Sequence, residues 1–355
     1  MKAPFPYFGG KSAVASLVWQ ALGRPAHYIE PFFGSGAVLL LRPDFDPASH
    51  TETVCDLDGH LANVWRALQA DPDAVARWCD WPVNHADLIA RKAKLNLETV
   101  SLLERLCADD SYFDAKLAGY WIWAVSCWIG HGLISPNQIP HIGNGGMGVH
   151  AKGQIPHISD SGIGVHRKSI ADTDAASRRG VGEAYNTNLY AWFRELSERL
   201  RYVRVVCGDW SRVCGGDWQA DVGTCGLFFD PPYSLESGRN MGLYSTDDAS
   251  VAHDVREWCR ERADRKDHRI VLAGYYEEHD SLIAEGWTVH RYSGKGGYGN
   301  LGNGNGKLNR HREALFFSPH CLRHAEPTLF DAPIISGGSR LATNEAPVTQ
   351  VRGAE

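Results

Sequence analysis

The sequence predicts an α/β protein built on a mostly parallel sheet with helices on both faces. Three observations lead there. Apolar, β-rich runs alternate with stretches of helical period, a glycine turn comes after the first such run, and the last two runs flank a glycine-rich loop as an antiparallel pair. In such sheets ligands bind at the strands' carboxyl ends, so the residues just after each strand matter most.

The first strand is HYIEPF (27–32), which enters the turn FGSGAVLLL (33–41), whose apolar tail reads as a helix start. TVCDLD (53–58) is a β-rich run ending in acids, followed by Leu61, Val64, Trp65 and Leu68 at helical spacing. YVRVVCGDW (202–210) alternates and ends Asp-Trp. CGLFFDPPY (225–233) is a strand that stops on an acid and two prolines. RIVLAGYY (269–276) reads as a buried strand, and WTVHRYS (287–293) with REALFFSP (312–319) as the antiparallel pair.

Residues 1–74 and 200–318 are thus expected to form one discontinuous domain, interrupted by an insert over 75–199. The first half of the insert is helical, with FDAKLAGYWIWAVSCWIG (113–130) its strongest run. The second half contains a duplication of period sixteen, QIPHIGNGGMGVHAKG (138–153) then QIPHISDSGIGVHRKS (154–169). Two copies are too few for a solenoid. Residues 319–355 are polar and expected to form a loosely ordered tail.

With 43% hydrophobic and 22% charged residues, the 355-residue chain has a globular composition. No apolar run reaches membrane-spanning length, and MKAPFPYFGGK lacks a signal-peptide hydrophobic region, so an intracellular protein is expected. The nine cysteines are scattered without a CxxC pair, which speaks against a zinc ribbon or a disulfide framework. Net charge is −6, and acids crowd 42–80. Against that background Arg291, Lys295, Lys307, Arg310 and Arg312 form a basic stretch without an intervening acid. Arg178 and Arg179, with Arg199, Arg201 and Arg204, add two smaller basic groups, and a solvated surface would explain any one of these.

Several motifs admit both a structural and a chemical reading. In PFFGSG (31–36), Gly34 and Gly36 would let the backbone approach a ligand ahead of a helix N-terminus, or simply make a tight turn. The motif lacks the GK[ST] of a phosphate loop and the third glycine of a dinucleotide fingerprint. Asp56 stands where a ribose-binding acid belongs, whereas Asp58 suits a helix N-cap. Asp209-Trp210 reads as an acceptor for an adenine amine beside a ring to stack on it, or as a turn acid before a buried Trp.

Together FPYFGGK (5–11), PFFGSGAVLL, DLDGHLANVW, CGDW and FFDPPY, in this order around a long insert, resemble the D12 (Dam-type, alpha group) class of DNA adenine N6-methyltransferases. The resemblance covers about 1–66 and 200–318. It implies a Rossmann-like methyltransferase sheet and S-adenosyl-L-methionine as donor, with Tyr7, Lys11, Phe32, Asp56, Asp209 and Trp210 in the donor pocket beside Gly34 and Gly36. Lys11 would pair with the donor's carboxylate. It also implies double-stranded DNA as partner, no metal, a monomer or weak dimer, and a cytoplasmic, nucleoid-associated place in a bacterial or phage-infected cell.

The chemistry of DPPY agrees with that class. An adenine amine is a poor nucleophile because its lone pair is delocalised into the ring. The Asp230 carboxylate and the Pro231 carbonyl, aimed at its two hydrogens, would localise that pair and stabilise the positive charge that develops. Pro231 and Pro232 fix the backbone, and Tyr233 offers a face to a base swung out of the duplex. Lys152, Arg167 and Lys168 in the duplication, with Lys295, Lys307 and Arg310 around the glycine-rich loop, are the candidate DNA contacts. A zinc site on His141, His150, His157 and His166 is the minor reading, since no cysteine joins them and their spacings are not those of helical metal pairs. WIGHGLISPN (128–137) stands where relatives carry an FNGLxRxN-like stretch, so no base-contact residue carries over. Cytosine N4 methylation, transfer of a modified one-carbon group, and a DNA-binding module with an inactive site are the alternatives.

Overall fold

The computed structural model describes residues 1–5, 7, 10–127, 133, 184–215, 223–233, 250–292 and 312–322, with only the backbone described over 184–188. The duplication, the glycine-rich loop and the candidate contacts Lys152, Arg167, Lys168, Lys295, Lys307 and Arg310 lie outside them.

Seven strands form one sheet: β1 (His27–Glu30), β2 (Thr51–Asp56), β3 (Val203–Cys207), β4 (Cys225–Phe229), β5 (His268–Tyr275), β6 (Thr288–Arg291) and β7 (Glu313–Phe317). Their order is β3-β2-β1-β4-β5-β7-β6. The pairs from β3 through β5 are parallel, while β7 runs antiparallel to both β5 and β6. This is the expected mostly parallel sheet with one antiparallel hairpin. Every residue of β1 and β4 is buried, as strands covered on both faces require.

The alternation of side chains sorts the core into two layers. Tyr28, Phe228, Val271 and Leu315 face one layer, while Ile29, Leu227, Phe229, Ile270 and Phe316 face the other. The first is covered by α1 (Ala15–Leu22), α2 (Gly59–Ala70), α3 (Pro72–Cys79), α4 (His85–Ala108), α5 (Ala115–Cys127) and α6 (Ala184–Leu200). The second is covered by α7 (Ser211–Cys214) and α8 (Val251–Arg262). A short helix, α9 (Tyr276–His279), comes directly after β5.

Local chemistry sets the helix starts. Asp58 caps α2 by accepting the His60 amide at 2.8 Å, Asp71 caps α3 ahead of Pro72, and Asn84 caps α4. The expected boundary between residues 74 and 75 falls inside α3. The helices α3–α6 bury their apolar faces in the same core as the sheet.

Three sequence expectations need correction. The tail of the glycine turn does not start an α-helix: Leu39–Leu41 is a single 3-10 turn, and Arg42 is already extended at φ −57°, ψ 122°. Pro43 is the cause, because its ring disfavours a helical residue before it. Arg199 is not on a solvated surface; it forms a two-bond pair with the fully buried Glu52 of β2. Residues 319–322 are not loose, for the Leu322 amide donates to the Ala21 carbonyl at 2.8 Å and Cys321 is buried.

Candidate active site

The strand order reverses between β1 and β4, whose neighbours are β2 on one side and β5 on the other. This is the topological switch point, where parallel sheets open a crevice at their carboxyl ends. A cleft there encloses ≈ 960 Å³, part of it open to solvent. Tyr7, Lys11, Phe32, Gly34, Asp56, Asp209 and Trp210 all line it, as do Asp230 and Pro232, but Gly36 does not.

The glycine turn after β1 forms one wall. Gly34 and Gly36 have φ of +48° and +65°, a region that L side chains rarely adopt. A Cβ on Gly34 would also meet the Tyr7 ring at 2.8 Å, so glycine is what lets Tyr7 lie against this turn. Without a helix behind the turn, the expected helix-terminus attraction for negative charge is absent here. Asp56 holds the turn instead: its Oδ2 accepts the Gly34 amide at 2.9 Å and its Oδ1 the Asp58 amide at 3.0 Å. Burial and the nearby Asp58 push the Asp56 carboxyl up to about 7, against the pull of these amides.

The β3 exit supplies the opposite acid and the ring. Asp209 is exposed, and its Oδ1 accepts from the Ser211 amide at 2.9 Å, which ties it to the turn. Trp210 lies 6.4 Å from Phe32 with the planes 27° apart, and is propped edge-on by Phe229 and Trp258. The Trp258 indole is itself anchored on the Cys214 carbonyl at 3.1 Å.

Lys11 comes from a 3-10 turn near the N-terminus, and its Nζ sits 2.9 Å from Asp230 Oδ2. Its side chain is only 5% exposed, so the sequence places a buried cation where solvation would otherwise be expected. Burial raises the Asp230 carboxyl, Lys11 opposes that, and Glu313 adds to it. The Lys11 ammonium also lies 5.6 Å from the centre of the Tyr233 ring, which packs on Tyr275.

Sequence reading missed three groups. Glu30, the last residue of β1, lines the cleft with 3% exposure, and its Oε2 accepts the Tyr28 hydroxyl at 2.9 Å. Burial pushes its carboxyl well above the usual carboxylate range, against the Tyr28 hydroxyl bond, with Asp230 adding to the rise. Its signal was an acid before a proline at a strand's end, the pattern read at Asp230 but not here. Tyr275 and Tyr292 end or follow their strands without a motif. The Tyr292 hydroxyl is driven up by burial, with Lys11 opposing and Tyr233 adding.

Among the described residues no helix is long and apolar enough to cross a membrane, and no group of three or more His, Cys, Asp or Glu could hold a metal ion. No curated protein matches the chain. Residues 7–97, which carry the glycine turn, Asp56 and Lys11, match the family model of the D12 class N6 adenine-specific DNA methyltransferases, the class that the motifs resemble.

Proposed function

We propose that the protein transfers a methyl group from S-adenosyl-L-methionine to the exocyclic N6 amine of an adenine flipped out of duplex DNA, and that the insert over 75–199 recognises the target. The observation that carries this reading is the Lys11–Asp230 pair on the rigid Asp-Pro-Pro turn, at the end of the cleft that Asp56 and Trp210 also line.

The residues fit the donor. Phe32 and Trp210 offer apolar faces to a purine, Asp56 offers carboxylate oxygens to ribose hydroxyls, and the positive-φ turn at Gly34 leaves backbone where a side chain would intrude. Bound there, the donor supplies an electrophilic methyl on a sulfonium centre.

Asp230 Oδ2 is engaged by Lys11, which leaves Oδ1 to accept one amine hydrogen while the Pro231 carbonyl accepts the other. A carboxylate in this place need not be a strong base, because the amine's proton becomes acidic once the methyl has moved. Lys11 favours the ionised carboxylate against its burial. Adenine is preferred over cytosine N4 because the matching family model describes adenine-specific enzymes.

Incubation with labelled donor and unmodified duplex DNA, followed by nucleoside mass spectrometry, tests the reading directly. N6-methyladenine is the expected product; N4-methylcytosine, or no labelled DNA, would overturn it.

Two further results are expected. Lys11→Met removes the charge opposing Asp230's burial, so the acid limb of the single-turnover rate should move up by about 1–3 pH units, the usual reach of an adjacent charge. A limb that stays in place would show that the pair does not set Asp230's ionisation. Donor affinity should rise roughly tenfold as Asp56 ionises through about pH 7, since a charged acceptor holds the ribose hydroxyls more strongly than a neutral one. Calorimetric titration from pH 6 to 8 measures this, and in Asp56→Asn the dependence should flatten.

A further inference from the structure

Tyr233 stands at the end of the Asp-Pro-Pro turn, and its ring rests on a residue of another strand. The Tyr275 ring, at the carboxyl end of β5, lies 4.5 Å from it with the planes 56° apart. Tyr275 is itself held on three sides. Its amide donates to Glu278 Oε2 at 3.1 Å, its backbone pairs with Glu313 of β7, and the Arg312 guanidinium lies 4.5 Å from its ring centre. Arg312 is fixed in turn by Glu277, whose Oε2 accepts from its Nε at 3.2 Å, and by its carbonyl, which accepts the Tyr276 amide at 2.8 Å. Tyr275 is 7% exposed, so this arrangement is an internal support with little surface of its own.

We propose that Tyr275 is a positioning residue: it sets the tilt of the Tyr233 ring and thereby the plane on which the target adenine stacks beside Asp230. This rests on the reading of Tyr233 as the stacking face for a flipped base. The physical ground is that two prolines fix the backbone up to residue 232 but do not themselves set the rotamer of the Tyr233 side chain. The Tyr275 ring packed against it narrows its choice of tilt before the base arrives, and preorganisation of this kind is felt in the transfer step more than in binding of the donor. Lys11, 5.6 Å from the same ring, faces it from the Asp230 side.

The test compares wild type, Tyr275→Phe and Tyr275→Leu on a duplex carrying the sequence that wild type modifies, with 2-aminopurine at the target adenine in a parallel set. The leucine variant keeps the site apolar and filled but has no ring. Its kcat should fall about tenfold with donor Kd unchanged, and flipped 2-aminopurine should fluoresce more strongly because its stack on Tyr233 is looser. Tyr275→Phe restores the ring and should stay within about twofold of wild type on both readouts. A leucine variant with wild-type kcat and fluorescence, or one that loses donor binding in proportion to rate, overturns the inference while leaving the methyltransferase reading in place. Wild type that makes no N6-methyladenine overturns both.

Discussion

Asp230→Ala is expected to lower methyl transfer at least about 10³-fold, the scale seen when one preorganised polar partner of a transition-state charge is removed. Donor and duplex binding should change by only a few-fold, because Asp230 is proposed to act on the reacting amine, whereas phosphate contacts carry most duplex affinity. The structure adds a complication that the motif alone conceals. Lys11 is 5% exposed and 2.9 Å from this carboxylate, so alanine removes the anion that balances a buried cation. A loss of activity in the single variant could therefore reflect a disturbed fold. Asp230→Asn preserves the shape and an oxygen for Lys11 but not the charge, and the double variant Lys11→Met with Asp230→Ala removes the cation together with its anion. Both should bind duplex DNA in a mobility-shift titration and transfer no measurable methyl, and the double variant should melt near wild type. Transfer by either at more than about a tenth of the wild-type rate would remove Asp230 from the chemistry.

The candidate site's acids were legible because Asp56 and Asp230 end runs that read as buried strands and Asp209 follows an alternating one. Asp56, Asp209 and Asp230 stand at the ends of β2, β3 and β4, and at strand ends in a parallel sheet the chain has nowhere to put them but the crevice. In the sequence Asp58 reads as the helix N-cap and Asp56 as the ribose acid, and the structure bears out the cap: Asp58 Oδ1 accepts the His60 amide at the start of α2. The resemblance implies the donor's carboxylate as partner of Lys11, whereas the structure pairs its ammonium with Asp230, which was not legible. Nothing local marks a lysine in a Gly-Gly-Lys turn as buried, and its anion lies more than two hundred residues along the chain. The apolar tail AVLLL misled for a different reason. Its composition favours a helix, but Gly36 and Pro43 leave too few residues between them to nucleate one. Glu30 ends β1, but the expected strand runs on through Pro31 and Phe32, so its acid was not read as a strand-end group facing the cleft.

The acidic stretch 42–80 hid a second feature, and Glu52 carries the largest expected effect on stability. Its carboxylate is fully buried in β2 and accepts from two guanidiniums. Arg42 Nη1 reaches Oε1 at 3.1 Å, while Arg199 at the end of α6 makes a fork of 2.7 and 2.8 Å. Each guanidinium also donates to a carbonyl, Pro25 for Arg42 at 2.7 Å and Leu39 for Arg199 at 3.3 Å. The Phe45 ring lies 5.6 Å and 4.1 Å from the two guanidinium carbons. Burial depresses the Arg42 pKa, and Glu52 is the chief group opposing it. Removing the one anion leaves two cations close together with almost no water, so Glu52→Ala should cost about 3–5 kcal/mol. Glu52→Gln, which keeps acceptor and volume, should cost less. Urea titration would show a lower midpoint with an unchanged slope if the fold is otherwise intact. The network ties the segment after the glycine turn to β2 and α6, so an unchanged midpoint would mean that packing alone, without this charge balance, holds the turn beside the cleft.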